Sequence, residues 1–159
     1  MADPQWLDDA EMRAWRAFLV AATRVNQALD RDLQDGFGRS LAEYEVLVNL
    51  SEASDRRRRM AELAELSLQT RSRLTHTVDR LEAEGLIERI PCEDDRRGTW
   101  AVLTDEGFAH LAEMAPDHVA SVRRRLLDPL TSTDVVALGR ALGKVVDALA
   151  ADGCPPEDE

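Results

Sequence analysis

The chain has 159 residues and a formal net charge of −11, with 44% hydrophobic and 32% charged residues, which is the composition of a globular domain with a sizeable core. It contains no apolar run of about 18 residues, and its acidic N-terminus lacks the pattern of a secretory signal, so we expect no membrane span and a cytoplasmic location. Aromatic residues make up only 4% of the chain, which disfavours a carbohydrate-binding surface or a surface that stacks single-stranded bases.

The N-terminal third of the chain is predicted to be helical. Apolar residues three and four positions apart predict a long helix over 8–35, which the sequence GFG at 36–38 ends. A second, shorter helix is predicted over 41–50. The run SEASDRRRR at 51–59 breaks the apolar pattern, and we expect an exposed turn there.

The middle of the chain is predicted to form a helix–turn–helix followed by a hairpin. A short helix over 60–66 and a turn precede a longer helix over 69–84, which Gly85 ends. After this glycine the pattern changes to the alternation of strands. LIERIP at 86–91 and TWAVLT at 99–104 therefore predict two antiparallel strands.

Two further helices are predicted in the C-terminal part. Thr104 is the expected N-cap of a helix that extends to Leu127. Thr131 and Asp134 have the spacing of a capping box and are expected to begin the last helix. The polar tail at 152–159 is predicted to be flexible.

This order of elements predicts a mainly α protein with a small β-hairpin wing. The winged helix–turn–helix spans 41–103, and the N- and C-terminal helices at 8–35 and 104–151 flank it. The small central domain has little surface to cover the apolar stripes of the flanking helices. We therefore expect these helices to form the dimerisation region of a homodimer.

The helix over 69–84 is predicted to have one buried and one exposed face. The buried face consists of Leu74, Val78 and Leu81, and the exposed stripe consists of Gln69, Ser72, Arg73, His76 and Arg80. Side chains of the exposed types can bond to base edges or phosphates, and the stripe lies mainly in the half of the helix that enters the major groove in such motifs. Any surface helix has a polar side, but the preceding turn and the following hairpin favour DNA binding.

The charge distribution is compatible with a DNA-binding surface. Residues 56–97 have a net charge of +1, whereas the rest of the chain has a net charge of −12. Because steering depends on the local field, the overall acidity does not exclude a nucleic-acid interface.

The sequence from 72 to 107 resembles the core of the MarR family of bacterial transcriptional regulators. The matching elements are LT at 74–75, DRLE at 79–82, GL at 85–86, DRR at 95–97, LT at 103–104 and Gly107. The resemblance extends more loosely over the whole chain. It implies a dimeric winged-helix protein that binds pseudo-palindromic, double-stranded promoter DNA, usually as a repressor that a small ligand or an oxidant releases.

The resemblance, together with the exposed stripe, suggests specific DNA-contacting residues. Those expected in the major groove are Gln69, Thr70, Arg71, Ser72, Arg73 and His76, with Arg80 on the backbone phosphates. The resemblance implies that the wing tip reaches the minor groove, where Arg97 enters the groove or clamps a phosphate, with Arg96 beside it and Asp95 steadying the arginine. Asp79 is expected to pair with Arg97 and so to orient the wing.

Several interpretations remain open at this stage. The run at 56–59 is either a set of phosphate contacts or a solvated stretch of charge. The family's effectors are often aromatic or phenolic acids; Trp15 is a candidate for lining such a pocket, although core packing is the favoured interpretation of this residue. A redox role for Cys92 is also open.

No enzyme motif and no metal-ligand spacing occurs among the histidines and cysteines, so we expect no catalytic activity, no metal and no cofactor. Two alternatives to a site-specific regulator are a winged-helix protein-interaction module and a DNA-architectural protein that works without a ligand.

Overall fold

The structure, a computed structural model, describes residues 5–92 and 98–151. The helices are α1 (Asp9–Phe37), α2 (Leu41–Ser51), α3 (Met60–Leu66), α4 (Arg71–Ala83), α5 (Asp105–Val122) and α6 (Ser132–Ala151), and the strands are β1 (Arg57–Arg59), β2 (Ile87–Pro91) and β3 (Thr99–Leu103). A 3-10 turn precedes β1, and a π-helical turn extends α5. The predicted mainly α class with a small wing is confirmed, whereas the tail at 152–159 lies outside the described residues.

Local capping chemistry determines where the helices begin. The Thr104 hydroxyl accepts a hydrogen bond from the backbone N–H of Gly107 at 2.9 Å, as predicted for the start of α5. At the start of α6, the backbone N–H of Asp134 donates to the Thr131 hydroxyl, and the backbone N–H of Thr131 donates to the Asp134 carboxylate. The predicted capping box is therefore present.

The expectation of an exposed turn over the whole of 51–59 is wrong for its last three residues. Arg57–Arg59 form an edge strand antiparallel to β3, so the sheet has three strands in the order β1-β3-β2. Arg58 points inward, where its Nε donates to the carbonyl of Asn49 at 2.9 Å and its guanidinium pairs with Glu62. These bonds pair the guanidinium of Arg58, which the sequence pattern places in an exposed loop.

The core lies between α2, α3, α4 and the sheet. Its buried members are Leu33, Tyr44, Val46, Leu47, Leu50, Leu63, Ala64, Leu74, Val78, Leu81, Leu86, Ile87, Ala101, Leu103, Leu111 and Met114. Leu33 of α1 and two residues of α5 belong to this cluster, so the flanking helices help to support the winged helix. The helix α6 buries none of its residues within the single chain. Among the described helices, none is both long and apolar enough to cross a membrane.

A network of polar contacts joins the C-terminal half of α1 to the end of α5. The Asp32 carboxylate accepts hydrogen bonds from the Ser121 hydroxyl and from Nη2 of Arg125, the latter at 2.9 Å, and Arg124 lies 3.5 Å away. The bond from Arg125, followed by that from Ser121, lowers the pKa of Asp32 from 3.8 to about 2. This carboxylate is therefore stabilised in its charged form in the folded protein.

Replacing Asp32 with asparagine is expected to destabilise the fold by about 1 kcal/mol at pH 7, since part of the network is exposed to solvent. A carboxylate whose pKa is lowered on folding stabilises the protein fully above its unfolded pKa of 3.8, and that contribution is lost as the pH falls through about 2. The difference between the parent and Asp32→Asn in urea unfolding should therefore shrink between pH 7 and pH 3. A difference that stays constant over this range would contradict the assignment.

Candidate nucleic-acid interface

The second helix of the helix–turn–helix, α4, is held in place by its apolar face and by its N-cap. Leu74, Val78 and Leu81 are buried, as the sequence predicts. The Thr70 hydroxyl accepts from the backbone N–H of Arg73 at 3.3 Å, and Gly85 follows the helix with a φ of +75°. The opposite face of α4 is solvent-exposed and includes Ser72, Arg73, His76 and Arg80, and Arg71 is exposed at the start of the helix, nearer the buried face.

Gln69 does not lie on this exposed face, so that part of the prediction is wrong. Its side chain is 4% exposed, accepts from the Thr77 hydroxyl at 3.0 Å and donates to the carbonyl of Ala42 at 3.3 Å. Gln69 precedes the N-cap Thr70, so the helical angle of 100° per residue does not apply to it. The residue links the turn to α2 and α4 instead.

The N-terminus of α4 differs in charge from the other helices of the described chain. Each of the other five α-helices has an acidic residue in its first turn, whereas α4 has none. Its first turn contains Arg71 and Arg73. Because acids normally complement the partial positive charge at a helix N-terminus, their absence here leaves that charge for an external anion.

The wing is attached to α4 through Arg89 of β2. Arg89 pairs with Ala101 in the sheet and lies on the inward face. Its guanidinium is 2.6 Å from the Asp79 carboxylate and 2.9 Å from that of Glu82, and it donates to the carbonyl of Thr75 at 3.2 Å. Three points along α4 are thus connected to one strand of the wing.

The contact between Asp79 and Arg89 is not among the pairs that the sequence predicts. The predicted partner Arg97, together with Asp95 and Arg96, lies in the segment 93–97 outside the described residues. Arg89 lies two residues after the apolar Ile87 in the same strand. Because alternate residues of a strand face the same side of the sheet, this spacing predicts that the side chain of Arg89 points inward. Asp79 does contact the wing, through Arg89 in the middle of β2.

The far end of α4 is anchored by a buried arginine. Arg39 is 8% exposed and lies between α1 and α2. It pairs with Glu84 through both terminal nitrogens, with Nη1 at 2.9 Å, and its Nε donates to Nε2 of His110 on α5 at 3.1 Å. The bonds from Arg39 lower the pKa of Glu84. Nearby, Arg80 lies 3.4 Å from the buried carboxylate of Glu43, so that any phosphate contact must compete with this pair.

The arginines at 56–59 have contacts within the chain. Arg56 lies 4.0 Å above the ring of Phe108 and 3.0 Å from the Asp105 carboxylate. Arg57 and Arg59 lie 5.1 and 5.4 Å from the ring centre of Trp100. The run is therefore not a uniformly solvated stretch, and a phosphate contact by any member stays a prediction.

Two other residues singled out in the sequence occupy unexpected or inaccessible positions. Trp15 is 49% exposed and stacks on Phe18 with ring centres 6.2 Å apart, so the favoured interpretation of core packing is wrong within one chain. Cys92 is 5% exposed, and its backbone N–H donates to the carbonyl of Gly98 at 3.0 Å. A redox role for this thiol stays untested.

Comparisons with known proteins agree with this geometry. The model of the MarR family matches residues 37–98. The chain is 32% identical to the HTH-type transcriptional regulator PecS of Dickeya dadantii (strain 3937), over 89% of this chain and 88% of that protein. It is also 32% identical to the HTH-type transcriptional repressor YetL of Bacillus subtilis (strain 168), over 73% of this chain and 69% of that protein.

A solved structure is similar over almost the whole length. Sco3205, a MarR family transcriptional regulator from Streptomyces coelicolor in complex with DNA, is 43% identical to this chain with a TM-score of 0.87. The match covers 92% of each chain. At this identity and coverage the similarity extends beyond the helix–turn–helix to the flanking helices.

Proposed function

Because the chain belongs to the MarR family and is a DNA-binding transcriptional regulator rather than an enzyme, we propose that it is a homodimeric repressor of pseudo-palindromic promoters that a small ligand releases. The observation that carries the proposal is the acid-free, arginine-bearing N-terminus of α4, held rigidly between α2 and the wing. The likeness to a protein solved with DNA and to a named repressor supports it. A regulator of chromosomal promoters works in the cytoplasm.

The proposed interface divides between two grooves of the DNA. The residues proposed for the major groove are Thr70, Arg71, Ser72, Arg73 and His76; Gln69 is buried and does not reach the DNA. Arg80 is proposed to contact a phosphate, and Arg96 and Arg97, next to Asp95, to reach the minor groove from the wing tip. Each protomer would read one half-site, with the half-sites about one helical turn apart.

The proposed homodimer is supported by apolar surface that the single chain leaves uncovered. α6 has an apolar stripe of Val135, Leu138, Leu142, Val145 and Leu149, yet none of its residues is buried. The N-terminal half of α1 exposes Trp15 and Phe18. Most of the stability of a helix in a protein comes from packing of its apolar face, and a second copy of the chain would cover the apolar faces of both helices.

The proposed effector is a small aromatic or phenolic molecule, as the family resemblance implies. A cavity of about 250 Å³ lies between α1 and α5, and Trp15 is not among its lining residues. His118 lines it beside Tyr44, and burial lowers the pKa of this imidazole. Among the described residues, the lining includes three carboxylates, those of Asp32, Asp35 and Asp117, and one arginine, Arg124. These walls suit a neutral phenol better than a carboxylic acid.

The function is tested by fluorescence anisotropy with a duplex from the DNA upstream of the protein's own coding sequence and with a scrambled duplex. A site-specific regulator should prefer the first by about a thousandfold or more, and its affinity should fall as salt rises from about 50 to about 200 mM. Equal affinity for several unrelated duplexes would favour the DNA-architectural alternative. Failure to bind any duplex at low salt would favour the protein-interaction module.

Arg73→Ala is expected to weaken binding to the preferred duplex about tenfold or more, because a base-edge contact is lost at each half-site. Binding to the scrambled duplex should change much less. Arg31→Ala is the matched control: it removes the same charge from α1, where Arg31 donates to the carbonyl of Gln27 in its own helix. Equal losses in both variants would show that total charge, rather than the α4 surface, determines affinity.

A further inference from the structure

The turn between α3 and α4 has one large apolar side chain that is not buried in the core. Ser67 and Gln69 are 2% and 4% exposed, whereas Leu68 between them is 90% exposed. The turn is not loose, because the backbone N–H groups of all three residues donate to carbonyls of α3 at 3.0–3.2 Å. Leu68 is therefore held outward by a bonded turn whose neighbouring side chains point inward.

The backbone at Leu68 makes the choice of leucine unusual. Its φ is +50°, in the left-handed region that glycine adopts freely and that a residue with a β-carbon adopts at a cost. The exposed side chain gains nothing from the core that would offset this cost. A large apolar side chain at a strained, exposed position points to a role in contact with another molecule.

The position of Leu68 identifies that molecule. Leu68 lies two residues before the N-cap Thr70 of α4, beside the first turn that contains Arg71 and Arg73 and no acid. This surface is the one proposed to enter the major groove. The edges of base pairs there present polar groups and one apolar group, the C5 methyl of thymine.

We infer that Leu68 contacts the C5 methyl of one thymine in each half-site and is thereby a specificity-determining residue. The inference rests on the proposed function, since it requires a DNA site. The polar side chains of α4 would read hydrogen-bonding groups, and Leu68 would add discrimination between thymine and a base without the methyl group. The bonded turn fixes the distance between the leucine and the helix.

The test uses the full chain and a duplex recovered from a randomised library by repeated selection on the parent protein. Each symmetric pair of thymines is then replaced by deoxyuridine, which removes only the methyl group. At one pair the replacement should weaken binding, because each lost methyl group removes one buried apolar carbon. The expected loss is about fourfold per methyl group, or about fifteenfold for the two half-sites together. Leu68→Ala and Leu68→Gly should bind the thymine duplex more weakly and lose the sensitivity to that pair.

Two controls separate this effect from misfolding. Leu68→Gly relieves the backbone strain and removes no buried contact, so its thermal midpoint should equal or exceed that of the parent. Leu66→Ala, at the half-exposed end of α3, should keep the parent's deoxyuridine profile.

The outcomes distinguish the inference from the proposed function. In one outcome, deoxyuridine substitution in the selected duplex weakens binding by the parent and by Leu68→Ala equally; in another, it does not weaken binding by the parent at any position. Either result would overturn the inference and leave the proposed function as a regulator intact. A uniform loss of affinity in Leu68→Ala with the profile retained would also overturn it. If the parent selects no duplex, the proposed function fails and the inference fails with it.

Discussion

Gly107→Ala is expected to destabilise the protein by at least about 3 kcal/mol, enough to leave a domain of ordinary stability largely unfolded on mild heating. A β-carbon at this position would lie 2.1 Å from the carbonyl oxygen of Leu86 and 2.7 Å from Cδ1 of Leu103. The first neighbour is backbone, whose oxygen already accepts from the backbone N–H of Thr104 at 3.2 Å. Relief of the clash would require separating the start of α5 from the sheet.

The measurement is the free energy of unfolding in urea, with far-UV circular dichroism to monitor the helices. Gly143→Ala on α6 provides the control, because a β-carbon there meets no atom within 4 Å in the single chain. In an exposed helix interior alanine is favoured over glycine by about 1 kcal/mol, so this variant should be as stable as the parent or more stable. Similar stability of both variants would show that α5 can shift without cost.

The close approach at Gly107 also gives a physical reason for one element of the sequence motif. The run from Leu103 to Gly107 contains the end of β3, the N-cap Thr104 and the first turn of α5. The hydroxyl of Thr104 both caps α5 and donates to the carbonyl of Gly85 at 2.8 Å. At Gly107 the backbone of α5 passes so close to Leu86, just before β2, that the α-carbon can bear only hydrogen in place of a side chain.

Local rules predict most of the elements of this fold. The apolar period of α1, the capping residues Thr104 and Thr131, and the left-handed Gly85 after α4 each act within a few residues, so they can be read without tertiary information. The strand alternation that predicts β2 and β3 is equally local.

The features that the sequence does not predict depend on residues far away in the chain. The three-residue strand β1 consists of arginines, and only pairing with β3 and the inward bonds of Arg58 make it a strand. The helical angle that puts Gln69 on the exposed face does not apply before the N-cap, and the side chain contacts Ala42 and Thr77 instead. The Arg89 contacts with α4 likewise require the wing to fold back on the helix.

Trp15 shows a different reason for failure. Its apolar spacing predicts burial, and the single chain leaves it half exposed. A helical period shows that a face will be covered and does not show by which chain. The proposed dimer would bury the uncovered faces of α1 and α6. A single charged substitution on one of these faces should therefore disrupt the dimer.

Val145→Asp is expected to convert the proposed dimer into monomers and to weaken binding to a two-half-site duplex by at least about a hundredfold. Val145 belongs to the α6 stripe and is 52% exposed in the single chain, so the substitution opens no cavity in the monomer. A carboxylate at a dimer interface would be desolvated without a partner. Loss of the second protomer removes the effective concentration that joins the two half-site contacts.

The oligomeric state is measured by sedimentation equilibrium, and the affinity by anisotropy with one-half-site and two-half-site duplexes. Arg140→Asp places the same carboxylate on the opposite side of α6 from the stripe, and should leave both quantities near those of the parent. A monomeric Val145→Asp should bind the two duplexes almost equally, since it can use only one half-site at a time. If this variant stays dimeric, or if the monomer keeps the parent's affinity, α6 does not hold two DNA-reading surfaces in register, and the spacing of the half-sites must be determined elsewhere in the chain.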